Sequence, residues 1–217
     1  MTGHRIPVGL IVDWGGVLTT PINQSFSAFI AHEAIDSAMF SSAMRRMHDE
    51  PGSALHQLEV GELGASEFEE RLASQFLTTG GDPVSPERLL ERMFSDVARN
   101  AQMRSIVAAA RERGWSTAVL SNAWGMPYDE ADLRTIVETV LLSDKIRLRK
   151  PDPAAYLHAA AAIGLPPEAC VFVDDLRRNA LAAESVGMVG FQYRGGDEHK
   201  LEKLLALREA NARFSGK

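Results

Sequence analysis

Short runs of consecutive apolar residues recur along the chain and predict β-strands that are covered on both faces. These runs are Val8–Val12, Thr117–Leu120, Thr139–Leu142, Cys170–Val173 and Met188–Tyr193. Helical stretches separate the later runs; Asp152-Pro153, for example, is typical of a helix start and Gly164 of a helix end. Strands that alternate with helices predict an α/β fold, in which a parallel sheet carries helices on both faces.

The segment after the first predicted strand has a different pattern, because residues 20–100 show helical spacing and no convincing strand. Two helix starts are predicted within this segment. Ser66–Glu69 has the spacing of a capping box, and Ser85-Pro86 offers a proline for a first helical position. Since the first strand belongs to the sheet, these helices form an insertion. We therefore expect an α/β core of residues 1–19 and 101–217, and a helical domain of residues 20–100.

Polar residues of functional type stand near the ends of the predicted strands. Asp13 follows the first run, Ser121-Asn122 the second and Asp174-Asp175 the fourth, while Lys150 precedes a proline in a loop. Ligands of such sheets bind beyond the carboxyl ends of the strands, so these side chains are expected to share one cleft. Three neighbouring carboxylates repel one another unless a cation joins them, and their hard oxygen atoms suit Mg²⁺. A nucleophilic carboxylate beside a lysine and a serine hydroxyl favours phosphoryl transfer.

Together these segments resemble the four motifs of the haloacid dehalogenase superfamily, in the same order and at suitable spacing. The matching segments are Asp13-Trp14-Gly15-Gly16-Val17, Ser121-Asn122, Lys150-Pro151 and Asp174-Asp175. The resemblance spans nearly the whole chain and implies a Rossmann-like parallel sheet whose helical insertion is a C1-type cap. Phe172–Asp175 with Asn179 is similar to the phosphatase branch. Within that branch, Gly61-Glu62, Glu67-Phe68 and Leu120–Asn122 resemble sugar-phosphate phosphatases and the phosphatase domain of soluble epoxide hydrolase.

The resemblance implies a Mg²⁺-dependent phosphatase that hydrolyses a small phosphorylated metabolite. Asp13 would attack phosphorus and form an aspartyl-phosphate intermediate. Mg²⁺ would be held by Asp13, the backbone carbonyl of Gly15 and Asp175, with Asp174 binding directly or through water. The phosphoryl group would contact Ser121, Asn122 and Lys150, and the lysine would keep Asp13 ionised.

One position departs from the family pattern. Gly15 stands where the family usually has a second aspartate, the general acid and base, although some phosphatases of this branch share the glycine. A glycine keeps its backbone carbonyl but offers no proton, and loss of a general acid or base typically costs about 10²- to 10⁴-fold in rate. Residues of the helical segment that could supply a proton instead are His32, His48, His56 and Glu62.

Two alternatives to a phosphatase stay open. In a 2-haloacid dehalogenase, Asp13 would attack carbon without a metal, and the Asp174-Asp175 pair would have no use. A catalytically silent binding or regulatory protein of the same fold would account for Gly15.

Composition narrows the partners and the location. The net charge of −6 argues against nucleic acid, because backbone phosphates need clustered Lys and Arg. Cys170 is the single cysteine, so the chain forms no internal disulfide and a reducing compartment is expected. No apolar run approaches the roughly twenty residues of a membrane span, and the run that ends at Asp13 is too short for a signal peptide. We expect a cytoplasmic protein with no membrane partner; its oligomeric state is not predicted.

Overall fold

A computed structural model describes residues 8–125 and 128–215, and its centre is a five-stranded sheet. The strands are β1 (Gly9–Val12), β2 (Ser116–Ser121), β3 (Thr139–Leu142), β4 (Cys170–Asp174) and β5 (Val189–Gln192). Neighbouring strands are parallel throughout, in the order β3-β2-β1-β4-β5. The α/β fold and every predicted strand are confirmed, with small shifts at the ends. Residues 1–7 of the expected core lie outside the described residues.

The helices fall into an early group between β1 and β2 and a later group that alternates with the other strands. The early group is α1 (Ile22–His32), α2 (Ser37–Asp49), α3 (Ala54–Glu59), α4 (Ala65–Ala73) and α5 (Leu89–Met93), after which α6 (Ala101–Glu112) leads into β2. The later group is α7 (Glu130–Leu133), α8 (Ser143–Ile146), α9 (Pro153–Ala162), α10 (Arg177–Ser185) and α11 (Glu198–Ser215). The predicted helix starting at Asp152-Pro153 is confirmed, because the Asp152 carboxylate accepts the N–H of Ala154.

Both faces of the sheet are buried under helices. Leu10 and Val12 of β1 belong to an apolar cluster with residues of α6 and α11. Ile11, which points to the opposite face, belongs to a second cluster with Tyr156 of α9 and Phe172 of β4. Because helices cover both faces of β1, all of its residues are apolar, and polar and apolar residues do not alternate along the strand.

The strand order makes β1 the middle strand and thereby positions the site. The chain runs from β1 to β2 and β3 on one side, and then returns to β4 and β5 on the other. Such a reversal of direction opens a crevice at the carboxyl edge of the sheet. Asp13 stands at this point, directly after β1, with the ends of β2 and β4 on either side.

The early helices have an apolar cluster of their own, separate from the two clusters on the sheet. Its members come from residues 29–93, and Phe68 and Leu72 are among the most deeply buried. The two places where the chain enters and leaves this segment lie side by side. The Asn100 N–H donates to the Leu18 carbonyl at 2.9 Å, and the Thr20 N–H donates to the Ala98 carbonyl at 2.8 Å. The division into a core and a helical domain at residues 20 and 100 stays a prediction.

The two helix starts predicted inside this segment are wrong in detail. Helix α4 begins at Ala65, so Ser66 is already helical and caps nothing; Glu69 instead accepts the backbone N–H of Leu90 at 2.9 Å, at the start of α5. Ser85 accepts the N–H of Glu87 in a local turn, and α5 begins only at Leu89. In the first case a hydrogen bond with a distant residue replaces the predicted cap, and in the second a local turn does. Among the described helices, none combines the length and the apolar character needed to cross a membrane.

Candidate active site

A cavity of about 510 Å³ opens at the carboxyl edge of the sheet, between the strand ends and the early helices. Its lining includes most of the site residues predicted from sequence, namely Asp13, Gly15, Ser121, Asn122, Lys150 and Asp175. Asp174 lies directly behind them and is fully buried. The structure therefore brings together residues that are up to 162 positions apart in the chain, from Asp13 to Asp175.

Lys150 is the centre of the charged part of this cavity. Its ammonium lies 2.8 Å from Asp13 Oδ1 and 2.7 Å from Asp174 Oδ2, and the residue is 2% exposed. A buried ammonium is unfavourable unless carboxylates compensate its charge and accept its hydrogen bonds. We call Asp13, Lys150, Asp174 and Asp175 the strand-end cluster.

Asp174 accepts hydrogen bonds from several groups of the protein. Besides Lys150, its carboxylate accepts the side-chain N–H₂ of Asn179 on both oxygens at 3.0 Å, and the backbone N–H of Leu176 at 2.9 Å. Asp175 has a different surrounding, because its carboxylate packs on the backbone of Gly16. A Cβ at Gly16 would lie 2.5 Å from Asp175 Oδ2, and Gly16 has φ +69°, so only glycine fits this position without displacement.

The cluster carries more negative than positive charge in a buried setting. Burial raises the pKa of Asp13 to about 8, against the opposing effect of Lys150 and with a further contribution from Asp174. Burial and the Asp174 charge likewise raise the pKa of Asp175 to about 6. Burial alone would lower the pKa of Lys150, but Asp13 and Asp174 outweigh it and raise the pKa, so the lysine stays charged. One ammonium does not balance three carboxylates.

The donor set fits a divalent cation. One oxygen of each of Asp13, Asp174 and Asp175 lies within 4.8 Å of the others. Carboxylate oxygens are the ligands that Mg²⁺ prefers, and a double positive charge would balance the excess negative charge of the cluster. Gly15 follows Asp13 in an extended conformation, with φ −68° and ψ 127°, and also lines the cavity.

Ser121 and Asn122 end β2 beside Lys150, but their side chains have different surroundings. The Ser121 hydroxyl lies 3.3 Å from the hydroxyl of Tyr128. The Asn122 side chain clamps the backbone of Lys150, accepting its N–H at 2.8 Å and donating to its carbonyl at 2.9 Å. Contact of these residues with a phosphoryl group stays a prediction, and for Asn122 the structure adds a role in holding Lys150.

A buried ion pair beside this clamp was not predicted from sequence. Glu59, at the end of α3, is 2% exposed, and its Oε2 accepts Arg149 Nε at 2.5 Å and Asn122 Nδ2 at 3.1 Å. The Ser143 hydroxyl donates to the Glu59 carbonyl, and Ser143 also accepts the Ala123 N–H at 2.8 Å. The early helices are thus tied directly to the loop that carries Lys150. The only local signal is a glutamate beside the apolar residues Leu55 and Leu58.

One of the candidates to replace the acid and base missing at Gly15 lines the cavity. A Cβ at Gly15 would lie 3.1 Å from Cγ1 of Ile22, so the place of a longer side chain borders on α1. Of the residues suggested from sequence, His48 lines the cavity, whereas His32 and Glu62 are exposed. Burial and the nearby Arg178 lower the pKa of His48 to about 4, so its ring is neutral at pH 7 and is a weaker base than an ordinary histidine.

The arrangement of strand-end carboxylates and lysine on this sheet defines a class of hydrolase. The family model described as haloacid dehalogenase-like hydrolase matches residues 9–187, and the chain belongs to this family. The family expected from the motifs is thereby confirmed, together with the Rossmann-like fold and the hydrolase class.

Named relatives and solved structures extend the comparison. The chain is 30% identical over 156 residues to phosphoserine phosphatase of Thermus thermophilus, covering 67% of this chain and 57% of the relative. It spans about half the length of the curated relatives it matches. An enzyme of the same family from Bacteroides thetaiotaomicron, solved with magnesium and inorganic phosphate, is 19% identical with a TM-score of 0.62, covering 87% of this chain and 95% of the other. A dehalogenase solved with an intermediate complex is 15% identical with a TM-score of 0.67, covering 94% and 99%. At these identities the two structures share the fold.

Proposed function

We propose that this hydrolase is a Mg²⁺-dependent phosphatase that acts on a small organic phosphate monoester. The observation that carries the proposal is the Lys150 ammonium, held 2.8 Å from Asp13 and 2.7 Å from Asp174 within a group of three carboxylates. A dianionic phosphoryl group needs this combination of a positive charge and a metal site beside a nucleophile.

Each residue of the site has a proposed role. Asp13 is the nucleophile, and Ser121, Asn122 and Lys150 hold the phosphoryl oxygens. Mg²⁺ would be held by Asp13, Asp175 and the Gly15 carbonyl, with Asp174 binding directly or through water. Asp174 also accepts from Lys150 and thereby orients it. When bound, the metal neutralises phosphoryl charge and keeps the nearby carboxylates ionised.

The reaction proceeds in two displacements. An Asp13 carboxylate oxygen forms a bond to phosphorus, the ester P–O bond breaks with its electron pair, and the departing alkoxide takes up a proton. Water then attacks the aspartyl phosphate, releases inorganic phosphate, regenerates the Asp13 carboxylate and returns the proton. In the net reaction, one phosphate monoester and one water are converted into one alcohol and one inorganic phosphate.

Residues 20–100 are proposed to act as a cap over the core formed by residues 1–19 and 101–217. Support comes from the separate apolar cluster of the early helices and from the paired chain crossings near Thr20 and Asn100. Closure of such a cap excludes water from the cavity and selects the substrate. We also propose a cytoplasmic location, in keeping with the single thiol, which is buried.

The relatives support a phosphatase over the alternatives. A phosphatase is among the named relatives, and a fold neighbour was solved with magnesium and inorganic phosphate. The likeness to a dehalogenase keeps carbon displacement as a second candidate. Halide release from a 2-haloacid, undiminished by a chelator, would favour that candidate.

The test is a panel of phosphate monoesters assayed with Mg²⁺ and with EDTA. Turnover is expected with Mg²⁺ alone, and Asp13→Asn should lower kcat by about 10⁴-fold or more, as loss of a nucleophile does elsewhere. Asp36→Asn is the matched control, since Asp36 caps α2 and asparagine caps equally well. Absence of turnover, or full activity in Asp13→Asn, contradicts the proposal. Mg²⁺ binding without turnover would favour the alternative of a catalytically silent binding or regulatory protein.

A further inference from the structure

We infer that the cavity accepts a flat aromatic group as the alcohol part of the phosphate ester, in preference to a sugar or another polyol. This inference rests on the proposed phosphatase function and specifies its substrate class. The juxtaposition that supports it is an aromatic wall, formed by Phe26, Phe94 and Trp124, in the same cavity as the strand-end cluster.

The aromatic wall combines residues from three separate places in the chain. Phe26 lies on α1, Phe94 directly follows α5, and Trp124 lies in the loop after β2, two residues beyond Asn122. The ring centroids of Phe26 and Phe94 are 5.3 Å apart, and those of Phe94 and Trp124 are 5.6 Å apart. All three side chains are half-buried, so part of each remains accessible from the cavity.

The size of the cavity leaves room for such a group. Its volume of about 510 Å³ falls within the roughly 300–1,000 Å³ that is typical of sites for drug-sized ligands. A phosphoryl group alone needs far less space, and the excess is bounded by the wall. The other aromatic pair in the lining, Trp14 and Tyr128, has centroids 4.9 Å apart and stands next to Asp13.

Several polar side chains of the lining already have protein partners, although Asn23, Arg178 and Arg194 also line the cavity. Glu59 accepts from Arg149 and Asn122, and the Asn122 amide is held by the Lys150 backbone. Tyr128 pairs with Ser121, and His48 Nδ1 lies 3.3 Å from Arg178. A hydroxyl placed against the aromatic wall loses hydrogen bonds with water that the rings do not replace, whereas an aromatic face loses none.

The test compares esters of primary alcohols, so that the leaving groups are matched and the cavity alone makes the difference. The aromatic probes are benzyl phosphate and 2-naphthylmethyl phosphate; the polyol probes are glycerol 3-phosphate and glucose 6-phosphate. We expect kcat/KM to be about tenfold higher or more for the aromatic esters, the size of effect that one or two aromatic contacts supply. Equal or greater kcat/KM for a polyol ester overturns the inference.

Variants locate the preference on the wall. Trp124→Leu and Phe94→Leu keep apolar volume but remove a ring, and each should reduce the ratio of aromatic to polyol kcat/KM by about three- to tenfold. Phe76→Leu is the control, because Phe76 is buried in the same helical cluster, 5.2 Å from Phe40, and does not line the cavity. A ratio that falls equally in the control, or not at all in the wall variants, contradicts the inference.

A binding measurement separates this inference from the proposed function. Naphthylmethylphosphonate and methylphosphonate, whose P–C bonds the proposed reaction does not break, are titrated into the unaltered protein with Mg²⁺ by calorimetry. Tenfold tighter binding of the aromatic phosphonate supports the inference even where no ester is turned over and the phosphatase proposal fails. Equal affinities overturn it even where the phosphatase proposal holds.

Discussion

The two ends of the cavity are built on different physical principles. The strand-end cluster is a set of buried charges, in which each member needs the others: Lys150 has two carboxylates within 2.8 Å, and Asp174 is fully buried. The aromatic wall is apolar surface held by packing, and its three rings come from segments that share no ladder of hydrogen bonds. A change of one residue should disrupt the cluster as a whole, whereas the wall can change one ring at a time.

This difference assigns bond making and breaking to the strand-end cluster and the choice of substrate to the aromatic wall. The cluster lies on the ends of β1 and β4 and on the loop of Lys150, and the sheet fixes these positions through strand register. The wall depends on where α1 and α5 lie over the sheet. Substitution in the wall should therefore alter substrate choice with little effect on the bond-making atoms.

The largest predicted effect on stability is loss of the cluster's cation. Lys150→Met leaves Asp13 and Asp174 buried without a positive partner, and removal of one partner of a buried pair costs about 3–5 kcal/mol. Urea unfolding in EDTA measures it. Lys145→Met is the matched control, because Lys145 pairs with Glu130 at the surface, where such pairs contribute about 0–1 kcal/mol. Similar losses in the two variants would show that the cluster is not a coupled unit.

A second prediction concerns pH and the metal. The folded-state pKa values of Asp13 and Asp175, about 8 and about 6, lie above the ordinary aspartate value of 3.8. Between about pH 4 and pH 8 the folded state therefore holds more protons than the unfolded state, and the free energy of unfolding of the metal-free protein should fall as pH rises. Lys150 stays protonated throughout this window, because its pKa is raised from 10.5.

Mg²⁺ should reverse that loss. At about 100 times its dissociation constant, a ligand adds about 2.7 kcal/mol, or about 5–10 °C in Tm for a chain of this size. The increase should be larger at pH 8 than at pH 5, where protons compete for the same carboxylates. The increase is the difference in Tm between samples unfolded with Mg²⁺ and with EDTA at each pH. Asp13→Asn should abolish most of this increase. An equal Mg²⁺-induced increase in Tm at both pH values would show that Mg²⁺ does not bind to the strand-end cluster.

Sequence reasoning reached the sheet and the cluster because both leave local signals. Continuous apolar runs predicted all five strands, and Asp13, Ser121 and Asp174 stand at strand ends, where topology brings residues together. The wall and Glu59 leave no such signal. Their positions depend on how helices pack over a distance of many residues, and a phenylalanine in a helix that faces a cavity has the same pattern as one in a core. The misplaced capping box at Ser66 has the same origin, since Glu69 bonds with Leu90, 21 residues away.

Glu59 ties α3 to the loop that carries Lys150, and its replacement is the smallest of the predicted effects. Glu59→Gln removes the charge that pairs with Arg149, whose side chain is 18% exposed and can turn toward water, so we expect a loss of about 1–2 kcal/mol in urea unfolding. Glu67→Gln is the control, because Glu67 pairs with Arg71 on the surface. A glutamine oxygen can still accept from Asn122, so the contact that weakens is the ion pair with Arg149, the residue next to Lys150. The Lys150 loop should then loosen, and kcat should fall while the ratio of aromatic to polyol esters stays constant. If that ratio changes instead, Glu59 belongs to substrate selection and the separation between cluster and wall is lost.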